Sequence, residues 1–135
     1  MQWNARGLMG NGAELRNQIA QMEDQPDVIC IQETFLKTSK EFTLDGYNEV
    51  RKDRKDRPKG GLITFIKEGI SFQEHKAPND IECQVIQVNS KRRKIVIINV
   101  YNSPGNKIDE DAFEDLVKHR NAIILGDFNA KSPQW

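Results

Sequence analysis

Short apolar runs alternate with polar and glycine-containing segments along most of the chain. Runs rich in Val, Ile, Leu and Phe are typical of strands that pack on at least one face of a sheet. The pattern predicts seven strands, over residues 2–4, 28–32, 62–67, 70–74, 83–88, 94–101 and 122–125. A polar turn follows the fifth of these strands, which indicates a β-hairpin between it and the sixth.

Two segments have the spacing of amphipathic helices instead. Apolar side chains recur at helical spacing and predict a helix over about 13–24, which we expect to follow a flexible loop containing Gly7, Gly10 and Gly12. Asp109 is the expected N-cap of a second, short helix, because its carboxylate can accept a hydrogen bond from the first helical turn.

The order of these elements predicts an α/β fold. A strand, a helix and a second strand at the start favour neighbouring positions in one sheet for both strands. Residues 42–47 are expected to form a loop, and no strand is predicted between 32 and 62. The 135 residues suffice for one domain, in which helices and sheets pack in layers and the strands run in mixed directions.

The composition narrows the class of partner only slightly. Twenty basic and twenty acidic residues balance, so the net charge argues for neither a nucleic acid nor a membrane. No apolar run approaches the length of a transmembrane helix, and no spacing of Cys or His indicates a zinc site. Cys30 lies inside an apolar strand, so we expect a buried thiol and an intracellular, reducing compartment.

Residues 123–130 carry the strongest chemical signal, because an apolar strand meets Gly126, Asp127 and Asn129 there. We interpret Gly126 as a turn at the end of the strand. Alternate residues of an extended chain point to the same side, so both polar side chains are expected to share one side. An Asp can accept a proton from water, and an Asn can donate to a phosphate oxygen without adding charge. The alternative is an Asx-rich turn after a buried strand.

Three other predicted strands also end in polar side chains: Asn4, Glu33 and Tyr101. Active sites are commonly built at one edge of a rigid sheet, so four such endings together favour a site. Each has another explanation when it is considered singly. Asn4 would cap a turn, Glu33 would be a solvated charge, and Tyr101 would pack in a strand with its hydroxyl at the surface.

These segments, taken in order, resemble the motifs of the exonuclease–endonuclease–phosphatase superfamily, and most of all the endonuclease domain of non-LTR retrotransposons. The matching segments are 2–4, 31–34, 99–101 and 126–129, together with Trp3-Asn4-Ala5-Arg6-Gly7, Gly46-Tyr47, Arg51-Lys52-Asp53-Arg54, Gly60-Gly61, 127–133 and Trp135. The resemblance implies a four-layer αββα sandwich, of which residues 1–135 would form about the first half. The second half, with the family's Ser-Asp-His ending, would be missing, and we expect the chain alone to be inactive or weakly active.

The resemblance also implies a role for each polar strand end. Glu33 would bind a divalent cation, Mg²⁺ or alternatively Mn²⁺, with Asn4 beside it. Tyr101 would donate a hydrogen bond near the scissile phosphate. Asp127 would orient or deprotonate the attacking water, and Asn129 would donate to a non-bridging phosphate oxygen.

The segment from Arg51 to Lys59 contains six basic residues and two acidic ones. It is either a solvated loop or a contact for the DNA backbone, because clustered cations bind phosphates. The resemblance favours DNA, since this segment would border the substrate groove. The residues implied to contact DNA are Arg6, Arg51, Arg54, Lys55 and Arg57.

The implied function is Mg²⁺-dependent cleavage of DNA phosphodiester bonds, which in a retrotransposon nicks target DNA for reverse transcription in the nucleus. The expected partners are DNA and the remainder of a polyprotein with a reverse transcriptase, an RNA-directed DNA polymerase. Two alternatives remain open: a non-catalytic nucleic-acid-binding remnant, and a phosphatase or phosphodiesterase of the same superfamily.

Overall fold

The computed structural model describes residues 1–55, 59–90 and 93–130, and these contain eight strands and two helices. In chain order the elements are β1 (Gln2–Asn4), α1 (Leu8–Ala20), β2 (Val28–Gln32), β3 (Tyr47–Lys52), β4 (Leu62–Lys67), β5 (Ser71–His75), β6 (Glu82–Asn89), β7 (Lys94–Tyr101), α2 (Glu110–Val117) and β8 (Ala122–Asp127). All seven predicted strands are present, and β3 is an additional one. Within these residues, neither helix has the length and apolar character needed to cross a bilayer.

The eight described strands form two four-stranded sheets. The first sheet has the order β1-β2-β4-β3, and the second has the order β5-β6-β7-β8. The β1–β2 and β7–β8 pairs are parallel and the other pairs are antiparallel, which confirms the mixed strand directions. The predicted hairpin joins β6 to β7, in a register that places Gln84 opposite Asn99.

The apolar side chains pack in three clusters that define four layers. Helix α1 places Leu15 on the outer face of the first sheet, against residues such as Ile63. Helix α2 places Leu116 on the outer face of the second sheet. The third cluster lies between the two sheets and includes Ile66 and Ile97. The order helix, sheet, sheet, helix confirms the predicted αββα architecture.

The two helices differ in how well the pattern predicts them. Asp109 caps α2 as expected and accepts from the backbone N–H of Ala112 at 2.8 Å. The expected glycine loop before α1 is wrong, because Gly10 and Gly12 lie inside a helix that begins at residue 8 and ends at residue 20. Gly12 is buried, and the ring of Phe42 occupies the space where a Cβ would project. This packing outweighs the low helix propensity of glycine.

Two further differences concern strands. The pattern misses β3, because it is an edge strand in which only Tyr47 and Val50 are buried. The expected turn at Gly126 is also wrong, since β8 continues through it to Asp127 and Gly126 pairs with Val100 in the ladder. Both strands carry too few buried apolar residues at their ends for the pattern to fix their limits.

Both cysteines are free and buried in the described structure. Burial raises the pKa of the Cys30 thiol to about 11, against a weaker opposing effect of its hydrogen bond with Thr64. Burial also raises the pKa of the Cys83 thiol, although the charge of Lys52 opposes this. Thiolate is therefore scarce at both positions at neutral pH, which favours packing over reactivity.

Candidate active site

The side chain of Asn4 lies at the centre of the site. Its Nδ2 donates to Oε1 of Glu33 at 3.1 Å and to Oδ2 of Asp127 at 2.6 Å. Its Oδ1 accepts from the backbone N–H of Arg6 at 3.2 Å, which fixes the orientation of the amide. One amide therefore joins two carboxylates from different sheets, since Glu33 follows β2 and Asp127 ends β8.

Glu33 is held by a turn directly after β2. Its φ is 52°, in the left-handed region that residues other than glycine rarely adopt. Backbone hydrogen bonds fix this turn, with the N–H of Gly7 donating to the Glu33 carbonyl at 2.8 Å and the N–H of Thr34 donating to the Gly61 carbonyl at 3.2 Å. Strained backbone of this kind is common at functional sites, and here it holds the carboxylate beside Asn4.

Tyr101 reaches the same edge from the second sheet. It ends β7, pairs with Asp127 in the parallel ladder and is only 5% exposed. Burial raises the pKa of its hydroxyl above the ordinary value, and the charge of Glu33 and a hydrogen bond with it raise the pKa further. Ser103 and Arg54 oppose this shift. The hydroxyl is therefore protonated at neutral pH and can donate a hydrogen bond.

Asp127 and Asn129 are linked by a turn and not by strand alternation. The strand ends at Asp127, and Asn129 has a φ of 45°. Oδ1 of Asp127 accepts from the backbone N–H of Asn129 at 3.1 Å, while Nδ2 of Asn129 donates to the Asn102 carbonyl at 2.8 Å. Because an amide NH₂ carries two hydrogens, a second one is left for another acceptor. The Asx turn is thus present together with the contact between Asp127 and Asn4.

Arg54 is already engaged with neighbouring side chains. It forms an ion pair with Glu82, donates to Oγ of Ser103 at 2.9 Å and lies over the ring of Tyr101, 5.5 Å from its centroid. Glu82 also accepts from the backbone N–H of Gly61 at 2.7 Å. Arg54 therefore supports the tyrosine and the adjacent turn, and its charge is largely neutralised by Glu82.

The other basic residues differ in their surroundings. Arg51 pairs with Asp53 at 2.8 Å and donates to a backbone carbonyl of the preceding loop at 2.9 Å. Arg6 and Lys55 are exposed, and Arg6 lies two residues after Asn4, which ends β1. Arg57 lies outside the described residues. Arg6 and Lys55 are therefore better placed than Arg51 and Arg54 to meet a phosphate backbone.

A cleft of about 380 Å³ opens beside Tyr101. The segments that line it are 52–55, 79–82, 100–103 and 106–108, together with Phe113 and Phe128. Four basic and three acidic side chains face it, so its net charge is only slightly positive. The cleft gives the site an open side, but its charge alone does not identify a ligand.

A model of the endonuclease/exonuclease/phosphatase family matches residues 1–135. The chain belongs to this family. The match confirms the family that the sequence motifs indicate. No curated protein matches the chain.

Solved structures of this fold include nucleases and a phosphatase. The endonuclease domain of TRAS1, a telomere-specific non-LTR retrotransposon, has a TM-score of 0.75 at 19% identity, and the match covers 99% of this chain and 61% of that one. The 3′ phosphatase NExo from Neisseria, bound to a product DNA hairpin, has a TM-score of 0.62 at 22% identity, with 95% and 56% covered. An AP endonuclease from Archaeoglobus fulgidus has a TM-score of 0.59 at 22% identity, with 95% and 56% covered. The chain thus spans between 56% and 61% of the length of these structures.

The family resemblance implies a divalent cation, and the side chains around Asn4 suit one. The carboxylates of Glu33 and Asp127 bring oxygen atoms to one place, where Nδ2 of Asn4 donates to both, while Oδ1 of Asn4 faces the backbone N–H of Arg6. Protein sites for Mg²⁺ often use one or two carboxylates and keep several waters. Within residues 1–55, 59–90 and 93–130, no three Asp, Glu, His or Cys residues form a group that could hold a metal ion. A bound cation would therefore keep most of its water ligands.

Sequence reasoning did not single out several residues that support the site. Glu82 and Ser103 hold Arg54, and Asn102 holds Asn129. Asn102 and Ser103 directly follow Tyr101, so their position in the sequence is the signal that could have found them. Nothing in the sequence around Glu82 distinguishes it from any other residue at the start of a strand.

Proposed function

We propose that the chain forms the cation- and water-binding part of an endonuclease that hydrolyses DNA phosphodiester bonds with Mg²⁺ or Mn²⁺. The observation that supports this most strongly is the pair of hydrogen bonds from Asn4 to the carboxylates of Glu33 and Asp127. Phosphodiester hydrolysis needs a positioned water and stabilisation of charge on the phosphoryl group. The groups at this edge of the two sheets match both needs.

Each residue has one task in this proposal. Glu33 would bind the cation directly, with Asn4 beside it holding the carboxylates of Glu33 and Asp127 in place, and the bound cation would polarise the phosphoryl group and its water ligand. Asp127 accepts a hydrogen bond or a proton from the attacking water. Tyr101 is protonated at neutral pH and would turn its single hydroxyl hydrogen from Glu33 to a phosphate oxygen when substrate binds. Asn129 donates its second amide hydrogen to a non-bridging oxygen.

The similarity to the TRAS1 endonuclease domain supports a retrotransposon setting for this activity. In that setting the substrate is target DNA in the nucleus, and the partner is the rest of a polyprotein with a reverse transcriptase. The chain covers only 61% of that domain. The activity of a full-length endonuclease is therefore something we propose for this chain. The similarity to the NExo 3′ phosphatase is the specific observation that favours a phosphatase as the second candidate.

Nicking of supercoiled plasmid tests the first candidate. We expect slow nicking that requires Mg²⁺ and falls by about 10²-fold or more in Glu33→Gln and in Asp127→Asn. The matched control is Glu49→Gln, which removes the same charge from an exposed position on β3. Equal nicking by all four proteins would contradict the assignment.

The same preparation separates the alternatives. Salt-dependent DNA binding without any Mg²⁺-dependent cleavage would favour the non-catalytic remnant. Release of phosphate from a 3′-phosphorylated oligonucleotide, without internal nicking of the plasmid, would favour the phosphatase.

A further inference from the structure

A layer of polar side chains crosses the interior between the two sheets. We call it the polar layer, and its members are Gln32, Thr64, Gln84 and Asn99. All four are at most 1% exposed. Gln32 and Thr64 belong to the first sheet, and Gln84 and Asn99 belong to the second. Buried polar groups in such a place are costly unless they are paired, so their partners decide what the layer does.

The layer is bonded directly across the sheets. Nε2 of Gln32 donates to Oδ1 of Asn99 at 2.6 Å, and Nδ2 of Asn99 lies 3.1 Å from Oγ1 of Thr64. The hydroxyl of Thr64 donates to Oε1 of Gln84 at 2.8 Å, and Nε2 of Gln84 donates to the Val50 carbonyl at 2.8 Å. Among the described residues, every buried side-chain nitrogen and oxygen has a hydrogen-bond partner.

The polar layer lies between the apolar inter-sheet cluster and the site. Asn99 is two residues before Tyr101 on β7, so both side chains point to the same face of the strand. Gln32 directly precedes Glu33 and is the register partner of Asn4 on β1. Asn4, Glu33 and Tyr101 are therefore within two residues, or one ladder pair, of the bond between Gln32 and Asn99, and Asp127 is the ladder partner of Tyr101.

Apolar packing between sheets is not directional, so it tolerates small shifts of one sheet over the other. A buried hydrogen bond is directional and is expensive to break. The site needs such a constraint, because Asn4 and Glu33 come from the first sheet while Tyr101 and Asp127 come from the second. We propose that Asn99 is a positioning residue whose bond with Gln32 fixes the two sheets relative to each other and thereby aligns the two halves of the site.

This inference rests on the proposed function, since the aligned groups are those assigned to cation and water binding. The readout is the dissociation constant of Mn²⁺, measured from the electron paramagnetic resonance signal of free Mn²⁺, beside the melting temperature of each protein. Asn99→Leu and Gln32→Met each remove one partner of the bond with a similar shape. Asn99→Leu also removes the donations of Nδ2 to the Ile31 and Ile63 carbonyls and to Thr64, whereas Gln32→Met leaves these in place. We expect each to weaken Mn²⁺ binding by about tenfold or more, the size typical for groups that orient metal ligands.

The double variant separates positioning from stability. Replacing both partners by apolar groups removes the unpaired amide that either single variant leaves buried, so stability should recover in part. Mn²⁺ binding should not recover, because the directional bond is still absent. Ile86→Ala is the control: Ile86 is fully buried in the apolar cluster between the same sheets, and its truncation lowers the melting temperature without removing a polar bond. We expect this control to bind Mn²⁺ within about twofold of the unchanged chain, well short of the tenfold loss.

The outcomes distinguish this inference from the proposed function. Mn²⁺ binding that is unchanged by Glu33→Gln overturns the proposed function and this inference with it. Binding that depends on Glu33 but is equal in the unchanged chain and the double variant overturns the inference alone. A loss of affinity in Ile86→Ala as large as that in Asn99→Leu also overturns it, because general loosening would then explain both. If Asn99→Leu does not fold, Gln32→Met and the double variant give the same decision.

Discussion

Gly126→Ala is a sharp test of how β8 places Asp127. Gly126 pairs with Val100 in the parallel ladder and has a φ of 153°. A Cβ there would collide with the backbone carbonyl oxygen of Val100 and would lie 2.7 Å from the carbonyl carbon and 2.9 Å from the backbone nitrogen. The obstacle is backbone, which cannot swing aside as a flexible side chain can. The substitution must therefore move one strand away from the other.

The magnitude follows from two separate terms. A residue with a side chain in this backbone region costs on the order of 1–3 kcal/mol, and overpacking an interior contact costs about 1–3 kcal/mol more. We expect a loss of about 4 kcal/mol in the free energy of unfolding. Because Asp127 is the next residue and pairs with Tyr101, its contact with Asn4 should be lost as well.

Urea denaturation of the variant and the unchanged chain measures this loss. Gly10→Ala is the matched control, since it makes the same chemical change inside α1, where the new Cβ meets no atom within 4 Å apart from its chain neighbours and the helix's own backbone. Alanine should stabilise the helix there by about 0.5–1 kcal/mol. A loss below about 1 kcal/mol for Gly126→Ala would refute the argument from the close approach of β7 and β8.

Three further predictions concern charge and ionisation. Arg6→Gln should reduce the slope of log affinity for DNA against log salt by about 1, whereas Arg54→Gln should leave it unchanged, because Arg54 is already paired; equal effects would contradict this difference. The hydroxyl of Tyr101 should titrate above its ordinary pKa in a spectrophotometric titration, and Glu33→Gln should lower that pKa, because burial and the charge of Glu33 both favour the protonated form. Because folding raises the pKa of Tyr101, the protonated hydroxyl contributes its full stabilisation below the ordinary tyrosine pKa, and this contribution is lost as the pH rises through the folded-state pKa. A Tyr101 pKa that does not change in Glu33→Gln would contradict the contact between the two side chains. Cys30, with a pKa of about 11, should react with a thiol reagent at neutral pH only as fast as the chain unfolds, and rapid labelling would show that its strand is accessible.

The strands that the sequence predicts best are those that are buried on both faces. Strand β4 is buried along almost its whole length, and its limits agree with the pattern. Strand β3 has charged and polar residues at most positions because one edge and one face meet solvent, so periodicity gives little signal there. The start of α1 could not be predicted from the sequence pattern, for a different reason. The packing of Phe42 against Gly12 is a tertiary contact, and no local propensity encodes it.

More of the site residues could be predicted from the sequence than of the hydrogen bonds that support them. Asn4, Glu33, Tyr101 and Asp127 follow apolar runs, so their positions at strand ends are visible in the sequence. Their convergence across two sheets depends on how the sheets stack, which the pattern does not determine. The roles of these residues and of Asn129, and the DNA contacts of the basic residues, remain predictions.

Asn99 shows why a polar residue in an apolar strand is easily overlooked. Its neighbours on β7 are almost all apolar, and although segment 99–101 matches a family motif, that match indicates no buried partner for the amide. Only the structure shows that Gln32 and Gln84 occupy the same interior level on other strands. A polar residue at an inward-facing position of a buried strand is therefore a signal that needs partners, and sequence alone does not supply them.

The apolar inter-sheet cluster and the polar layer contain different side chains because they have different effects on the two sheets. The apolar cluster holds the sheets together through buried area, which is proportional to contact and insensitive to direction. The polar layer adds little net stability, because each bond replaces one with water, but it penalises every misaligned arrangement. It lies on the side of the cluster that faces the site, where Asn4 must reach a carboxylate from each sheet. The polar layer thus aligns the two sheets next to the site residues that depend on this alignment. Farther from the site, apolar packing holds the sheets together.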